Sequence, residues 1–187
     1  MGIGAKIVIA GEGGQGVQSM AMMITEAAYE EGREALYIPN FGVEQRGGVS
    51  VAYVQISDEP IGSPKFKNAD LAMALSKRSI NRIHKYCDED TFFLYEADIE
   101  EAEDELPDKY REVIAVPAIN ISKEELHPKV FNVIMMGVIV GLTKVVGLDS
   151  IKRAIESKLG YKFEKNPELR TMNYKALERG IEFVQNR

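Results

Sequence analysis

The stretch Lys6-Ile7-Val8-Ile9-Ala10-Gly11-Glu12-Gly13-Gly14-Gln15-Gly16-Val17 decides how the rest of the chain is read. Five residues, mostly apolar and followed by glycine, have the form of a strand buried on both faces. After the loop, Val17, Met20, Ala21, Ile24, Ala27 and Ala28 recur at helical spacing up to the polar end Glu30-Glu31-Gly32-Arg33. A strand that turns through glycines into a helix leaves unpaired N–H groups at the helix start, where the macrodipole is positive. Such a start receives anions, phosphate above all. The glycines let a ligand reach the backbone and allow positive φ in the turn.

From Gly11 the spacing also reads G-x-G-x-x-G, the dinucleotide fingerprint, in the right strand-to-helix context. The fingerprint needs an acid at the end of the second strand, roughly 20 residues on, for the ribose hydroxyls. Here the second strand, Glu34-Ala35-Leu36-Tyr37-Ile38, ends in Pro39-Asn40, and Glu34 stands at its entrance. A nicotinamide or flavin site and a plain tight turn that packs helix on sheet are the competing readings of the loop. Ten residues without helical periodicity separate Ile38 from the next strand, Val49 to Ile56. That is too short for a usual crossover to a parallel neighbour. The third strand therefore runs antiparallel to the second or lies away from it. The expected fold is one domain over residues 1–187: a three-layer α/β/α arrangement on a mixed, mostly parallel sheet, Rossmann-like without being a true dinucleotide fold.

A second glycine loop, Gly42-Val43-Glu44-Gln45-Arg46-Gly47-Gly48, lies about thirty residues after the first. G-x-G-G-Q-G-V after strand one, followed by E-x-R-G-G, resembles the gamma subunit of the 2-oxoacid:ferredoxin oxidoreductases. The resemblance continues through Ser57 to Ile61, the strand Ala69 to Leu75, the helix around Asn132 to Gly137, and a tail with Asn173, Ala176 and Gly180. It implies a subunit of an enzyme that oxidatively decarboxylates a 2-oxoacid and releases the acyl group as an acyl-CoA. Thiamine diphosphate, magnesium and 4Fe-4S clusters would then sit in partner subunits, namely alpha, beta and in some forms delta, with ferredoxin as acceptor. Pyruvate, 2-oxoglutarate, branched-chain oxoacids and indolepyruvate all remain open, with a slight leaning to 2-oxoglutarate. The expected contacts for CoA, a phosphate or a partner subunit are Gly11, Gly13, Gly14, Gln15, Gly16, Glu44, Arg46, Gly47 and Gly48. An arginine beside bare backbone grips a phosphate or carboxylate in bidentate fashion. Glu44 and Arg46 also admit a reading in which they only shape their loop.

Composition narrows the classes further. The 187 residues carry net charge −6 with both signs interspersed, which suggests neither nucleic acid nor an anionic membrane as partner. Cys87 is the single cysteine, so this chain can neither close a disulfide nor hold an iron–sulfur cluster by itself. His84 and His127 stand apart, without metal-site spacing. The N-terminus runs straight into a core strand, which gives the expectation of a cytoplasmic protein.

Four further features have a chemical and a structural reading. Ser76, between the strand Leu71 to Leu75 and a helix running to about Cys87, is an N-cap rather than a nucleophile, because G-x-S-x-G is absent. The carboxylate run Glu96 to Glu105 reads as a solvated, mobile loop rather than an acid/base or magnesium site. Met20, Met22 and Met23 read as core filler or a subunit contact. The helix Lys129 to Val146 is too short in its uncharged part to span a bilayer, yet apolar on nearly all sides, so it must be covered twice. Gly137 and Gly141 allow a close backbone neighbour, either the C-terminal helix or another subunit. No triad, metal cluster or P-loop lysine is present, Val17 following Gly16 directly. A complete active site is not written in this chain.

Overall fold

The computed structural model describes residues 4–41 and 48–187. Six strands form one sheet in the order β2-β3-β1-β4-β5-β6. They are β1 (Ala5–Glu12), β2 (Glu34–Asn40), β3 (Val49–Ser57), β4 (Leu71–Ala74), β5 (Phe92–Glu96) and β6 (Glu112–Val116). β3 is antiparallel to both β1 and β2, while β1, β4, β5 and β6 are mutually parallel. β3 is therefore the one strand that runs against the others, as the short link from Ile38 to Val49 requires.

The faces are unequally covered. Ile7 and Ile9 of β1, with Ala52, Val54, Leu71, Met73, Leu94 and Ile114, share a core with α1 (Val17–Glu30), α3 (Ala118–Glu125), α4 (Phe131–Thr143), α5 (Leu148–Lys165) and α6 (Glu168–Gln185). Alternate residues Val8, Ala10, Ala72, Ala74, Phe93 and Tyr95 face a smaller core under α2 (Lys77–Ile83). Period-two alternation thus assigns each strand residue to one of two helical layers. Met20 and Met23 are buried in the larger core, whereas Met22 is 38% exposed.

Helix α4 is buried without a break from Val133 to Val140. The cover on its outer side belongs to the same chain: α6 lies so close that a Cβ on Gly137 would stand 2.2 Å from the Leu177 carbonyl oxygen. Asn173 is buried at the same crossing and donates to the Leu169 carbonyl at 2.7 Å. α4 ends earlier than its apolar sequence suggests, because Lys144 takes a left-handed φ of 51° and its N–H closes on Val140. α5 runs for 18 residues, to Lys165.

Ser76 caps α2, accepting from the Ser79 N–H at 3.3 Å. His84 is exposed, and exposed His127 accepts from the Lys129 N–H through Nδ1. Burial, with Asp88 beside it, pushes the Cys87 thiol up to about 12. The thiolate is the nucleophile, so this cysteine is inert at ordinary pH. Among the described residues no helix is long and apolar enough to cross a membrane, and no three His, Cys, Asp or Glu residues are grouped to hold a metal ion.

The acids of the stretch Glu96 to Glu105 are mostly exposed, as a solvated loop would have them, and two residues depart from that. Glu96 is 1% exposed, and Ala102 packs into the smaller core from a short 3₁₀ turn, Ala102–Glu105. The Glu96 carboxylate accepts from the N–H groups of Asp98 and Ile119, each at 3.2 Å, and so caps the start of α3. Burial raises its pKa against the opposing effect of those N–H groups. A carboxyl whose folded pKa lies above its unfolded value stabilises the fold at low pH, and that benefit is lost as pH rises through the folded pKa. Relative to Glu96→Gln, whose amide stands in for the neutral carboxyl at every pH, the native chain should therefore lose stability as pH rises above the unfolded glutamate value of about 4.3. Urea melts of both between about pH 4 and about pH 8 check it; a native chain that gains stability relative to Glu96→Gln as pH rises would contradict the burial argument.

Candidate functional site

The glycine loop closes over the carboxyl end of β1. Gln15 holds it in shape: its Oε1 accepts from the Glu12 N–H at 2.6 Å and its Nε2 donates to the Leu75 carbonyl at 2.9 Å. The Gln15 N–H itself returns to the Glu12 carbonyl at 3.1 Å. Gln15 was expected among the groups offering an N–H to a ligand; that N–H is instead taken by the turn, and its side chain bridges the loop to β4.

The four glycines are present for different reasons. Gly14 and Gly16 have φ of +94° and +84°, where side chains carry strain. A Cβ on Gly11 would lie 2.8 Å from both Gln15 Oε1 and Val17 Cγ2, so a close approach fixes that position. Gly13 has neither constraint: its φ is ordinary and a Cβ would meet nothing within 4 Å. The fold does not need a glycine there. Gly13 and Gly14 are exposed and open outward.

Behind the loop, Gly16 is the N-cap of α1 and has no side chain to satisfy the first-turn N–H groups. Gln18, the second residue of α1, binds the sheet instead: its Nε2 donates to Ser50 Oγ at 2.7 Å and to the Val51 carbonyl at 3.0 Å, and its Oε1 accepts from the Tyr37 hydroxyl. Burial raises the Tyr37 phenol. These bonds tie α1 to β2 and β3 where the second loop leaves and re-enters the sheet.

Gly11 pairs with Ser50 and Glu12 with Val49, so Gly48 stands at the same sheet edge as the first loop. Glu44, Arg46 and Gly47 lie outside the described residues. β2 reaches the same edge, with Asn40 opposite Val51. Both glycine loops therefore leave the sheet at one edge although about thirty residues separate them in sequence. Asn132, at the start of α4, also borders this edge: its Nδ2 would be 2.2 Å from a Cβ on Gly16. Sequence reading assigned it no place in the site, because nothing local in the chain marks a residue more than a hundred positions from the loop it touches.

This is an α/β domain whose glycine loop sits at the carboxyl edge of a mixed sheet. The chain belongs to the pyruvate ferredoxin/flavodoxin oxidoreductase family, which matches residues 6–183. It is 33% identical over 183 residues to the ketoisovalerate oxidoreductase subunit VorA of Methanothermobacter marburgensis, covering 96% of this chain and 36% of that protein. It thus spans about a third of the length of that curated relative. The gamma subunit of a keto/oxoacid ferredoxin oxidoreductase from Geobacter sulfurreducens superposes with a TM-score of 0.79 at 26% identity, over 98% of this chain and 99% of that one. A 2-oxoglutarate:ferredoxin oxidoreductase from Magnetococcus marinus, solved with 2-oxoglutarate, coenzyme A and succinyl-CoA bound, shares the fold with a TM-score of 0.87 at 22% identity, over 98% of this chain and 31% of that one. The same fold thus occurs as a separate subunit and as a third of a longer chain.

Proposed function

We propose that this chain is the gamma-type component of a thiamine-dependent 2-oxoacid:ferredoxin oxidoreductase, an assembly that converts a 2-oxoacid to an acyl-CoA, and that its glycine loop serves the CoA side of the site. The observation that carries this reading is the open face at Gly13 and Gly14, beside the uncapped start of α1. Exposed glycine that the fold does not require is what a close-approaching diphosphate requires. Membership of the oxidoreductase family makes CoA the fitting anion. The Magnetococcus marinus enzyme, a longer chain that includes this fold, was solved with CoA bound.

CoA supplies the thiol that accepts the acyl group. This chain holds the anionic part of CoA at the N–H groups of Gly13, Gly14 and Gly16, while Gln15 keeps the loop rigid. Arg46, on the second loop, supplies a cation, and Glu44, Gly47 and Gly48 shape its approach. Thiamine diphosphate, magnesium and the 4Fe-4S clusters belong to alpha, beta and, where present, delta partners; one cysteine cannot provide the thiolates a cluster needs. The 2-oxoacid is set by those partners, and the assembly works in the cytoplasm.

The test is CoA-dependent dye reduction by the complex purified without oxygen, across a panel of 2-oxoacids. Loss of one charge-assisted contact is worth about 1.5–3 kcal/mol, so Arg46→Ala should raise the KM for CoA about ten- to a hundredfold. Gly13→Ala should raise it in the same direction, with subunit composition and the KM for the oxoacid unchanged. If both variants keep the native KM for CoA, the loop is an assembly element and the CoA assignment is wrong.

A further inference from the structure

On the face opposite α1, α2 packs on β1 and β4, and towards β2 the cover is the segment around Pro64 to Phe66 together with Tyr86. Two cavities meet there. The first, of about 330 Å³, lies between Ile38, Asn40, Tyr53, Phe66 and Tyr86. The second, of about 620 Å³, shares Lys65 and Phe66 with it and continues past Lys67 to Lys6, Gln55 and Asp70.

The two ends differ in chemistry. Tyr53, Phe66 and Tyr86 meet edge to face, with ring centroids 5.5 to 6.2 Å apart. The two tyrosine hydroxyls bond each other at 2.9 Å, which leaves one O–H donor at the rim of an otherwise apolar wall. Burial and that bond push the Tyr86 phenol up to about 12, and the wall carries no negative charge at neutral pH. The other end is basic. Lys6, Lys65 and Lys67 enter no ion pair among the described residues, and Lys85 lies 5.3 Å from the Tyr86 ring. Asp70 is the one acid lining either cavity among the described residues. In a chain of net charge −6 this is a local reversal of sign.

We propose that the double cavity is a docking groove for an acidic segment of a partner protein, one aromatic side chain entering between Tyr53, Phe66 and Tyr86 while its carboxylates lie along Lys65, Lys67 and Lys6. Charge complementarity selects an acidic occupant, and an extended groove with a ring-lined end selects a peptide segment with an aromatic anchor. A second copy of this chain suits it poorly: the dense acidic run Glu96 to Glu105 contains no aromatic residue. The groove lies on the other face of the sheet from α1 and does not depend on the CoA reading.

The chain contains no tryptophan, so a seven-residue acidic peptide with one central tryptophan reports on binding through its own emission. A saturable blue shift is expected with Kd below about 1 mM, weakening with added salt. The exposed double reversal Lys65→Glu, Lys67→Glu should weaken it at least about tenfold without changing the melting temperature. Phe66→Ala should abolish the blue shift. Equal binding by an alanine-centred or a lysine-rich peptide would overturn the proposal, as would indifference to the lysine reversals. A concentration-dependent dimer that Phe66→Ala dissolves would also overturn it, giving the groove to a second copy.

Discussion

Gly180→Ala should lower the stability of the chain by about 3 kcal/mol, the upper end of the usual cost of overpacking. An added Cβ at Gly180 would stand 2.0 Å from the Ile134 carbonyl oxygen and 2.9 Å from Gly137 Cα and Val138 N. All three are backbone atoms of a helix buried from Val133 to Val140, so no rotamer change relieves the overlap. α6 must move off α4, or both helices must bend. At about 2–4 °C per kcal/mol for a domain of this size, the melting temperature should fall by roughly 6–12 °C. Gly160→Ala provides the contrast. It lies inside α5, where a Cβ would meet only Glu156 Oε2 at an ordinary 3.7 Å. There alanine's better helix propensity acts alone and should stabilise by about 0.4–1 kcal/mol. Thermal melts followed by circular dichroism check both. If Gly180→Ala melts within about 2 °C of the native chain, the tight crossing of α4 and α6 is wrong.

That crossing also marks how far the sequence could be read. The apolar run from Val130 and the spacing of Gly137 and Gly141 required a second covering layer and a close backbone neighbour. They could not name the neighbour, because a covering subunit and a covering C-terminal helix place the same demand on α4. The sheet was legible where a local constraint applied: the ten residues after Ile38 are too few for a crossover, which left β3 either antiparallel to β2 or away from it, and the two pair antiparallel. The acidic stretch misled because charge density is an average over residues. Glu96 is the last residue of β5, and its position against the start of α3 keeps it out of water while its acidic neighbours are mostly exposed.

At the site, the glycines and the turn they build were legible because each rests on local backbone chemistry. What distinguishes one glycine from another is non-local. Gly11 is confined partly by Leu75, Gly16 by Asn132, and the start of β3 comes beside the first loop only through the antiparallel pairing of β1 with β3. Gln15 shows the same limit: its side chain reaches the Leu75 carbonyl, 60 residues away in sequence.

Alanine placed in turn at Gly13, Gly14 and Gly16 should separate what the fold requires from what a ligand requires. At Gly13, with ordinary φ and open space, stability should stay within about 0.5 kcal/mol of the native chain. At Gly14 the space is open but φ is +94°, so only the left-handed strain of about 1–2 kcal/mol applies. At Gly16 the same strain is joined by a methyl 2.2 Å from Asn132 Nδ2, and the cost should reach about 2–4 kcal/mol. Because the clashing atom ends a side chain, Asn132→Ala should recover the steric part in the Gly16→Ala background and leave the strain. A double-mutant cycle by urea denaturation would show that as a coupling of about 1 kcal/mol or more. In the assembled enzyme Gly13→Ala, the gentlest change for the fold, should be among the costly ones for CoA, since its methyl points into the space a diphosphate would occupy. A Gly13→Ala chain as unstable as Gly16→Ala would mean the open face is filled by the fold itself, and the loop would have no room for an anion.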